Sequence, residues 1–187
     1  MKKAYVFMAN GFEDIEAIGT IDILRRGGVD VKTVSITGDY AVESAHGISI
    51  EADMKIEEAD FNDADALVLP GGLPGATNLN DHEGVRNALV AQAEKGGIVA
   101  AICAAPLVLG GLGLVNGKRA TCYPGFEKYL DGAEYTHELC TVDGNITTGE
   151  GPGATFEFAY ALLKQLVGND IVAQLQEGMM YNHLLGK

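Results

Sequence analysis

Twice in this chain a helical run ends at a Gly-Gly pair and gives way to a short, unbroken apolar run. Glu13 to Arg26 reads as a helix stopped by Gly27-Gly28, with an apolar stretch from Val29 to Ile36 behind it. Val85 to Lys95 repeats the pattern, with Gly96-Gly97 and then Ile98 to Ile102. Tyr5 to Ala9 and Ala66 to Leu69 are further runs of the same apolar kind. A strand without period-two alternation is buried on both faces, which requires a parallel sheet covered by helices on each side. The expected architecture is α/β: a doubly wound, mostly parallel sheet sandwiched between helices. At 187 residues with no break in composition, residues 1–187 read as a single domain.

The remaining elements are shorter or less regular. Asn10 is the candidate N-cap of the first helix, with Glu13 three residues on as in a capping box. Thr37 to Asp65 reads as a long loop holding a hairpin around Ala41–Ile50. Ala104 to Leu112 is expected to be helical. Short strands are expected near Arg119–Thr121, Tyr135–His137, Cys140–Val142 and Ile146–Thr148. Two helices, about Ala154–Val167 and Asp170–Met180, follow them. In doubly wound sheets ligands bind beyond the carboxyl ends of the strands. The loops after Ala9, Leu69, Ile102 and Thr121 are therefore where function is expected.

Charge narrows the partners. Twenty-six acids against thirteen bases leave a formal net charge of −13. Such a surface repels phosphate backbones and argues against nucleic acid or an anionic membrane. No run reaches the ~18 apolar residues of a membrane helix. The apolar stretch after Lys2-Lys3 is too short for a signal-peptide core and is soon followed by acids. Three scattered cysteines, Cys103, Cys122 and Cys140, form neither a disulfide framework nor a CxxC pair. A reducing, cytoplasmic setting follows as the expectation.

Phosphate and metal patterns fail on inspection. Gly111-Leu-Gly113 has Asn116 where a dinucleotide fingerprint needs glycine, and it follows a helix instead of a strand. Gly117-Lys118 lacks the hydroxyl residue and the upstream glycine of a P-loop. Gly149-Glu-Gly151-Pro-Gly153 could hold an anion where it opens a helix, but Glu150 opposes that, leaving a turn and helix start. His46, His82, His137 and His183 lack metal-ligand spacing. No cofactor and no metal are expected.

Cys103 is the residue that stands apart. It follows a buried strand directly, precedes a helix, and is flanked by Ala100, Ala101, Ala104 and Ala105. A sharp strand-to-helix turn needs such small neighbours to present a side chain above a sheet, as in a nucleophile elbow. A thiol at a helix N-terminus is also expected to have a lowered pKa. Free cysteines are commonly inert core residues, and Cys122 and Cys140 are read that way. Glu16 is the second candidate: Gly19 and Ile23 share its helix face, so its carboxyl either faces inward with a raised pKa or lies on the helix surface. The turn Pro70-Gly71-Gly72-Leu73-Pro74-Gly75 is the third, with backbone N–H groups free for an oxyanion unless its glycines serve only positive φ.

Four runs, ANGFEDIEAIGTIDILRRGG, ALVLPGGLPGATNL, IVAAICAAPLVL and TTGEGPGATFEFAYALL, occur in the order found in the DJ-one/ThiJ/PfpI superfamily. The chain resembles that superfamily from residue 4 to about residue 176. It is closer to the DJ-one/ThiJ branch than to the PfpI peptidases, which typically carry histidine directly after the cysteine, where Ala104 stands here. The resemblance implies a flavodoxin-like sandwich and a homodimer. It implies a reactive Cys103 with a protonated Glu16 as partner, oxyanion-binding amides at Gly72 and Ala104, and a small pocket near the dimer contact with Arg26 close by. It also implies glyoxalase or deglycase chemistry on small α-oxoaldehydes such as methylglyoxal, without a cofactor.

Two positions depart from the pattern. Tyr123-Pro124 replaces the His-Pro common in this branch, and a phenol, protonated at neutral pH, cannot replace imidazole as a base. It can still donate a hydrogen bond. His46 stands where the human member of the family has arginine near its pocket, and either supplies a titratable group or is a solvated hairpin histidine. An enzyme acting on a small carbonyl substrate is the first reading. A redox-sensing or chaperone-like protein of oxidative stress is the alternative, and a PfpI-type peptidase or a flavin-binding module is weaker still.

Overall fold

In the computed structural model, which describes residues 1–186, the elements follow the alternation read from the sequence. They are β1 (Lys3–Met8), α1 (Asp14–Arg26), β2 (Asp30–Ser35), β3 (Ala41–Glu43), β4 (Ser49–Glu51), β5 (Met54–Lys55), β6 (Ala66–Leu69), α2 (Gly75–Asp81), α3 (Glu83–Glu94), β7 (Ile98–Ile102) and α4 (Pro106–Gly111). After these come β8 (Arg119–Ala120), β9 (Glu134–Tyr135), β10 (Cys140–Asp143), β11 (Ile146–Gly149), α5 (Thr155–Val167), α6 (Asn169–Gly178) and α7 (Tyr181–Leu184). No described helix is long and apolar enough to cross a membrane.

One seven-stranded sheet carries the molecule, in the order β10-β11-β7-β6-β1-β2-β5. Every pairing within it is parallel except β10 with β11. Its inner strands are apolar throughout because helices cover both faces: β6 is buried at all four positions and β7 at four of its five. α1 packs on α5, which carries α6, while α2 packs on α3 and α4. The fold is thus the expected doubly wound sandwich. The core is built from large apolar side chains such as Phe7, Leu67, Ile102, Leu109 and Phe158, all fully buried.

The chain leaves β1 for β2 on one side and later returns to β6 on the other side of β1. That reversal opens a crevice above the carboxyl ends of β1 and β6, where open α/β sheets bind ligands. The turn Gly71-Gly72 and the start of α1 both lie at this crevice, and β7, next to β6, ends at Cys103.

Three local expectations change. Asn10 does not cap α1; its side chain accepts the Glu43 N–H at 3.0 Å and ties the β3–β4 hairpin to this loop. Glu13 is the cap, its carboxylate accepting the Glu16 N–H at 2.7 Å. The helix after Cys103 begins only at Pro106, because Cys103 itself sits at φ 65° and breaks the run. Finally, α2 grows directly out of the Pro-Gly turn, where Gly75 and the prolines hide it from a propensity reading.

Candidate active site

Three chain segments meet above the sheet. Cys103 follows β7 in the left-handed region, φ 65°, a conformation rare for a side-chain-bearing residue and common at functional sites. Its N–H donates to the Gly149 carbonyl at 2.9 Å, and its own carbonyl accepts the Tyr123 N–H at 2.8 Å. The strained turn is therefore pinned on both sides by β11 and by the loop after β8. Only 8% of Cys103 is exposed.

Glu16, in the first turn of α1, is fully buried. Its Oε2 accepts the Gly71 N–H at 2.8 Å, while its Oε1 is buried and has no hydrogen-bond partner among the described residues. The carboxyl lies next to the Cys103 side chain, the two flanking one point above Gly71. Gly71 is the reason they can meet: a Cβ there would lie 2.6 Å from both Cys103 Cβ and Glu16 Oε2. Burial is the main cause that pushes the Glu16 carboxyl up to about 7, with the Glu13 charge adding to it. Because Gly71 occupies Oε2, the proton of the neutral acid belongs on Oε1.

The thiol does not behave as the helix-terminus argument expects. Burial first, and then the charge of Glu16, push Cys103 up to about 12. The correction has a geometric origin. α4 begins three residues later and has only six residues, so the thiol gains little from a helix dipole, whose influence is confined to the terminal turn. What favours the thiolate are two single amides, the N–H groups of Gly72 and Ala104, which face the sulfur. Neither amide donates to a backbone oxygen among the described residues, so both are available to an anion at this point. Gly72 reaches that orientation at φ 88°, where glycine carries no steric penalty.

The remaining candidates are less central. Tyr123 is joined to Cys103 through its backbone, but its ring is 47% exposed and lies on Gly151, one ring carbon 3.2 Å from where a Cβ would be. His46 sits on the hairpin at the start of α1, with Nδ1 2.6 Å from Asp14 Oδ2. That bond to Asp14 raises its pKa. Glu13, Asp14 and His46 bring their ligand atoms within 4.8 Å of one another, a proximity that spacing along the chain does not reveal. Arg26 does not reach the site. It ends α1, ten residues or about 15 Å of helix rise from Glu16, and pairs with Asp22 one turn back. Within one chain Arg26 is therefore remote from Glu16.

Sequence reasoning missed the roles of Gly71, whose amide fixes the carboxyl, and of Glu13, whose carboxylate caps the helix and adds a charge beside Glu16. Glu13 escaped because side-chain caps are sought among Ser, Thr, Asp and Asn. The crowding at Gly71 has no signature beyond the glycine itself.

Comparison with known proteins bears on the same residues. The family model described as the DJ-1/PfpI family matches residues 2–165. Protein DJ-1 homolog B of Arabidopsis thaliana is 40% identical over 90% of this chain, though the chain spans only 39% of that protein's length. A Caenorhabditis elegans protein named glutathione-independent glyoxalase DJR-1.2 is 34% identical, with 83% of each chain covered. The crystal structure of a C103A mutant of a DJ-1 superfamily protein from Salmonella typhimurium superposes with a TM-score of 0.92 at 37% identity, covering 96% of this chain and 98% of the other. A buried carboxyl poised on a strained cysteine, a match over most of the chain and identities of this size agree: the chain belongs to the DJ-1/PfpI family.

Proposed function

We propose that this protein is a cofactor-independent enzyme acting on small α-oxoaldehydes, of glyoxalase or deglycase type, with Cys103 as nucleophile and Glu16 as acid and base. The observation that carries this reading is the buried Glu16 carboxyl packed beside Cys103 over Gly71, with Oε2 held by the Gly71 amide and Oε1 without a partner. The glyoxalase name of the nematode relative supports the same reaction class.

With methylglyoxal the chemistry runs as follows. Glu16 as carboxylate takes the thiol proton while sulfur adds to the aldehyde carbon, and the carbonyl π pair moves to oxygen. Loss of the Glu16 charge removes one of the causes that hold the thiol up. The Gly72 and Ala104 amides stabilise the alkoxide, which Glu16 then protonates to give a hemithioacetal. Glu16 next removes the proton from the former aldehyde carbon and returns it to the neighbouring carbon, through an enediolate. The hydroxyl proton passes to the other oxygen, leaving a thioester. Water breaks the C–S bond and releases lactate and free thiol. One carbon is oxidised and its neighbour reduced by the same two electrons, so no redox cofactor is required. A carboxyl titrating near neutrality suits both directions of transfer.

The test is lactate formation from methylglyoxal by wild type, Cys103→Ser and Glu16→Gln. Loss of turnover in both variants is expected, and equal turnover in all three would end the proposal. A redox-sensing role is favoured by one observation, that the same two amides would hold the oxygens of a Cys103 sulfinate. Mass spectrometry after mild peroxide separates the two: in that role Cys103 oxidises before Cys122 and Cys140. Three free cysteines suit a reducing cytoplasm. A homodimer is part of the proposal, supported by Ile15 and Ile18 exposed on α1 and Ile48 on the hairpin; light scattering at twice the chain mass is the expected result.

A further inference from the structure

Residues 119–123 lie along the end of the main sheet without joining its ladder, since among the described residues β8 pairs only with β9. A row of three amides two residues apart fastens them, the spacing that puts successive N–H groups of an extended chain on one edge. The Arg119 N–H donates to Asp143 Oδ2 at 2.9 Å, the Thr121 N–H to Thr148 Oγ1 at 2.9 Å, and the Tyr123 N–H to the Cys103 carbonyl at 2.8 Å. The first of these bonds is exposed and the second is buried. Thr121 and Thr148 are both fully buried, and the Thr121 hydroxyl has no partner among the described residues. The Thr148 hydroxyl is therefore the interior anchor of this segment.

The third bond carries the anchorage into the site. A trans peptide unit is planar, so its C=O and its N–H point in opposite directions. The Cys103 carbonyl and the Ala104 N–H belong to one such unit. Holding the carbonyl on the Tyr123 N–H fixes the direction of the Ala104 amide, which faces the sulfur and favours the thiolate. Cys103 at φ 65° has no intrinsic preference that would keep this plane in place. Thr148 also adjoins the other pin of the turn, since its neighbour Gly149 accepts the Cys103 N–H.

We infer that Thr148 is a positioning residue for the nucleophile: its hydroxyl holds the segment from Thr121 to Tyr123 and, through the Cys103 carbonyl, aims the Ala104 amide at the sulfur. Only the consequence for turnover rests on the proposed carbonyl chemistry; the aim of the amide does not.

The test compares wild type with Thr148→Val, which keeps the shape and removes the acceptor, and with Thr148→Ser, which keeps the acceptor. Iodoacetamide labels a thiolate as the S–C bond forms and iodide leaves, and mass spectrometry assigns the cysteine. In Thr148→Val the rise of Cys103 labelling with pH should begin about one unit higher, a roughly ten-fold loss of rate at fixed pH, because one donor to the thiolate is lost. Lactate kcat should fall by about ten- to a hundred-fold, the scale of a misplaced catalytic group, with KM little changed. Thr148→Ser should restore both. A merely looser fold gives the opposite sign, because it relieves the burial that pushes the thiol up and speeds the labelling of Cys122 and Cys140 as well. A Cys103 profile that stays in place or moves to lower pH in Thr148→Val overturns the inference. Should Thr148→Val not fold, Thr148→Ala leaves room for water to meet the freed N–H and gives the same comparison. A shifted labelling profile in the variant together with no lactate from the wild type would strike only the proposed reaction.

Discussion

Glu16 Oε2 accepts the Gly71 N–H at 2.8 Å, and this bond holds the carboxyl over the same glycine that Cys103 packs against. The same glycine leaves no room for a side chain. A Cβ at residue 71 would lie 2.6 Å from Cys103 Cβ and from Glu16 Oε2, and 2.8 Å from the Ile102 carbonyl. Two of these, the Cys103 Cβ and the Ile102 carbonyl, are not the far end of a flexible side chain. Gly71→Ala should therefore destabilise by about 1–3 kcal/mol as an overpacked core does. Turnover should fall by more than that loss of folded protein explains, because the acid and the thiol are pushed apart. Thermal unfolding beside methylglyoxal kinetics checks both.

Glu16→Gln should make the protein more stable in alkali and little different in acid. The carboxyl is raised from 4.5 to about 7, chiefly by burial. A group whose pKa is raised on folding contributes stability that is complete below its unfolded value and lost as pH rises through its folded value. Ionising Glu16 in place therefore costs on the order of 3 kcal/mol by pH 8 relative to pH 4. Glutamine keeps an acceptor for the Gly71 N–H and avoids that cost. Melting temperatures should agree within a degree or two near pH 4.5 and separate by roughly 5–10 °C at pH 8 for a chain of this size. Parallel curves for the two proteins across that range would contradict a buried, titrating Glu16.

Glu13→Gln should lower the pKa of Glu16 while keeping α1 capped. Glu13 contributes a like charge that raises Glu16 and a carboxylate oxygen that accepts the Glu16 N–H. Glutamine retains the acceptor and deletes the charge. In the pH profile of kcat/KM, the limb that reports Glu16 should move toward lower pH, with the melting temperature nearly unchanged. Glu13→Ala, which also removes the cap, should in addition lose about 1 kcal/mol of stability.

Much of this was legible in the residues. Unbroken apolar runs such as Ala66–Leu69 and Ile98–Ile102 can only be inner strands, and the Gly-Gly stops mark where helices turn back, so the doubly wound sheet followed. Cys103 and Glu16 stood out as candidates because small neighbours and helix periodicity are properties of sequence. What was not legible depends on distance across the fold. The collision that makes Gly71 obligatory arises between residues 16, 71 and 103. His46 meets Asp14 only because Asn10 ties the hairpin to the start of α1. Arg26 lies on the same helix as Glu16, and only the helix rise reveals that it ends far away. The sign of the Cys103 shift was misread because sequence shows a helix following the thiol but not how deeply the thiol is buried.

The buried thiol makes the last prediction. Cys103 is pushed up to about 12 by burial and by the Glu16 charge, against two amides that favour the thiolate. Cys122 and Cys140 are also pushed up to about 12, with burial the main cause, and no amide contact offsets either. At pH 7 iodoacetamide should therefore label the native protein slowly, with Cys103 the first of the three because its sulfur alone has thiolate donors beside it. The rate at Cys103 should climb with pH through the range where thiols ionise. Glu16→Gln removes the adjacent charge, so the same rise should begin at lower pH in that variant, with labelling at pH 8 several-fold faster than in the wild type. Cys122 and Cys140 feel other acids, Glu127 and Glu150 for the first and Glu157 and Glu138 for the second, so their rates should not respond to Glu16→Gln. An equal acceleration at all three cysteines would mean that the variant had loosened the fold. No acceleration at Cys103 would mean that the carboxyl of Glu16 does not act on the sulfur.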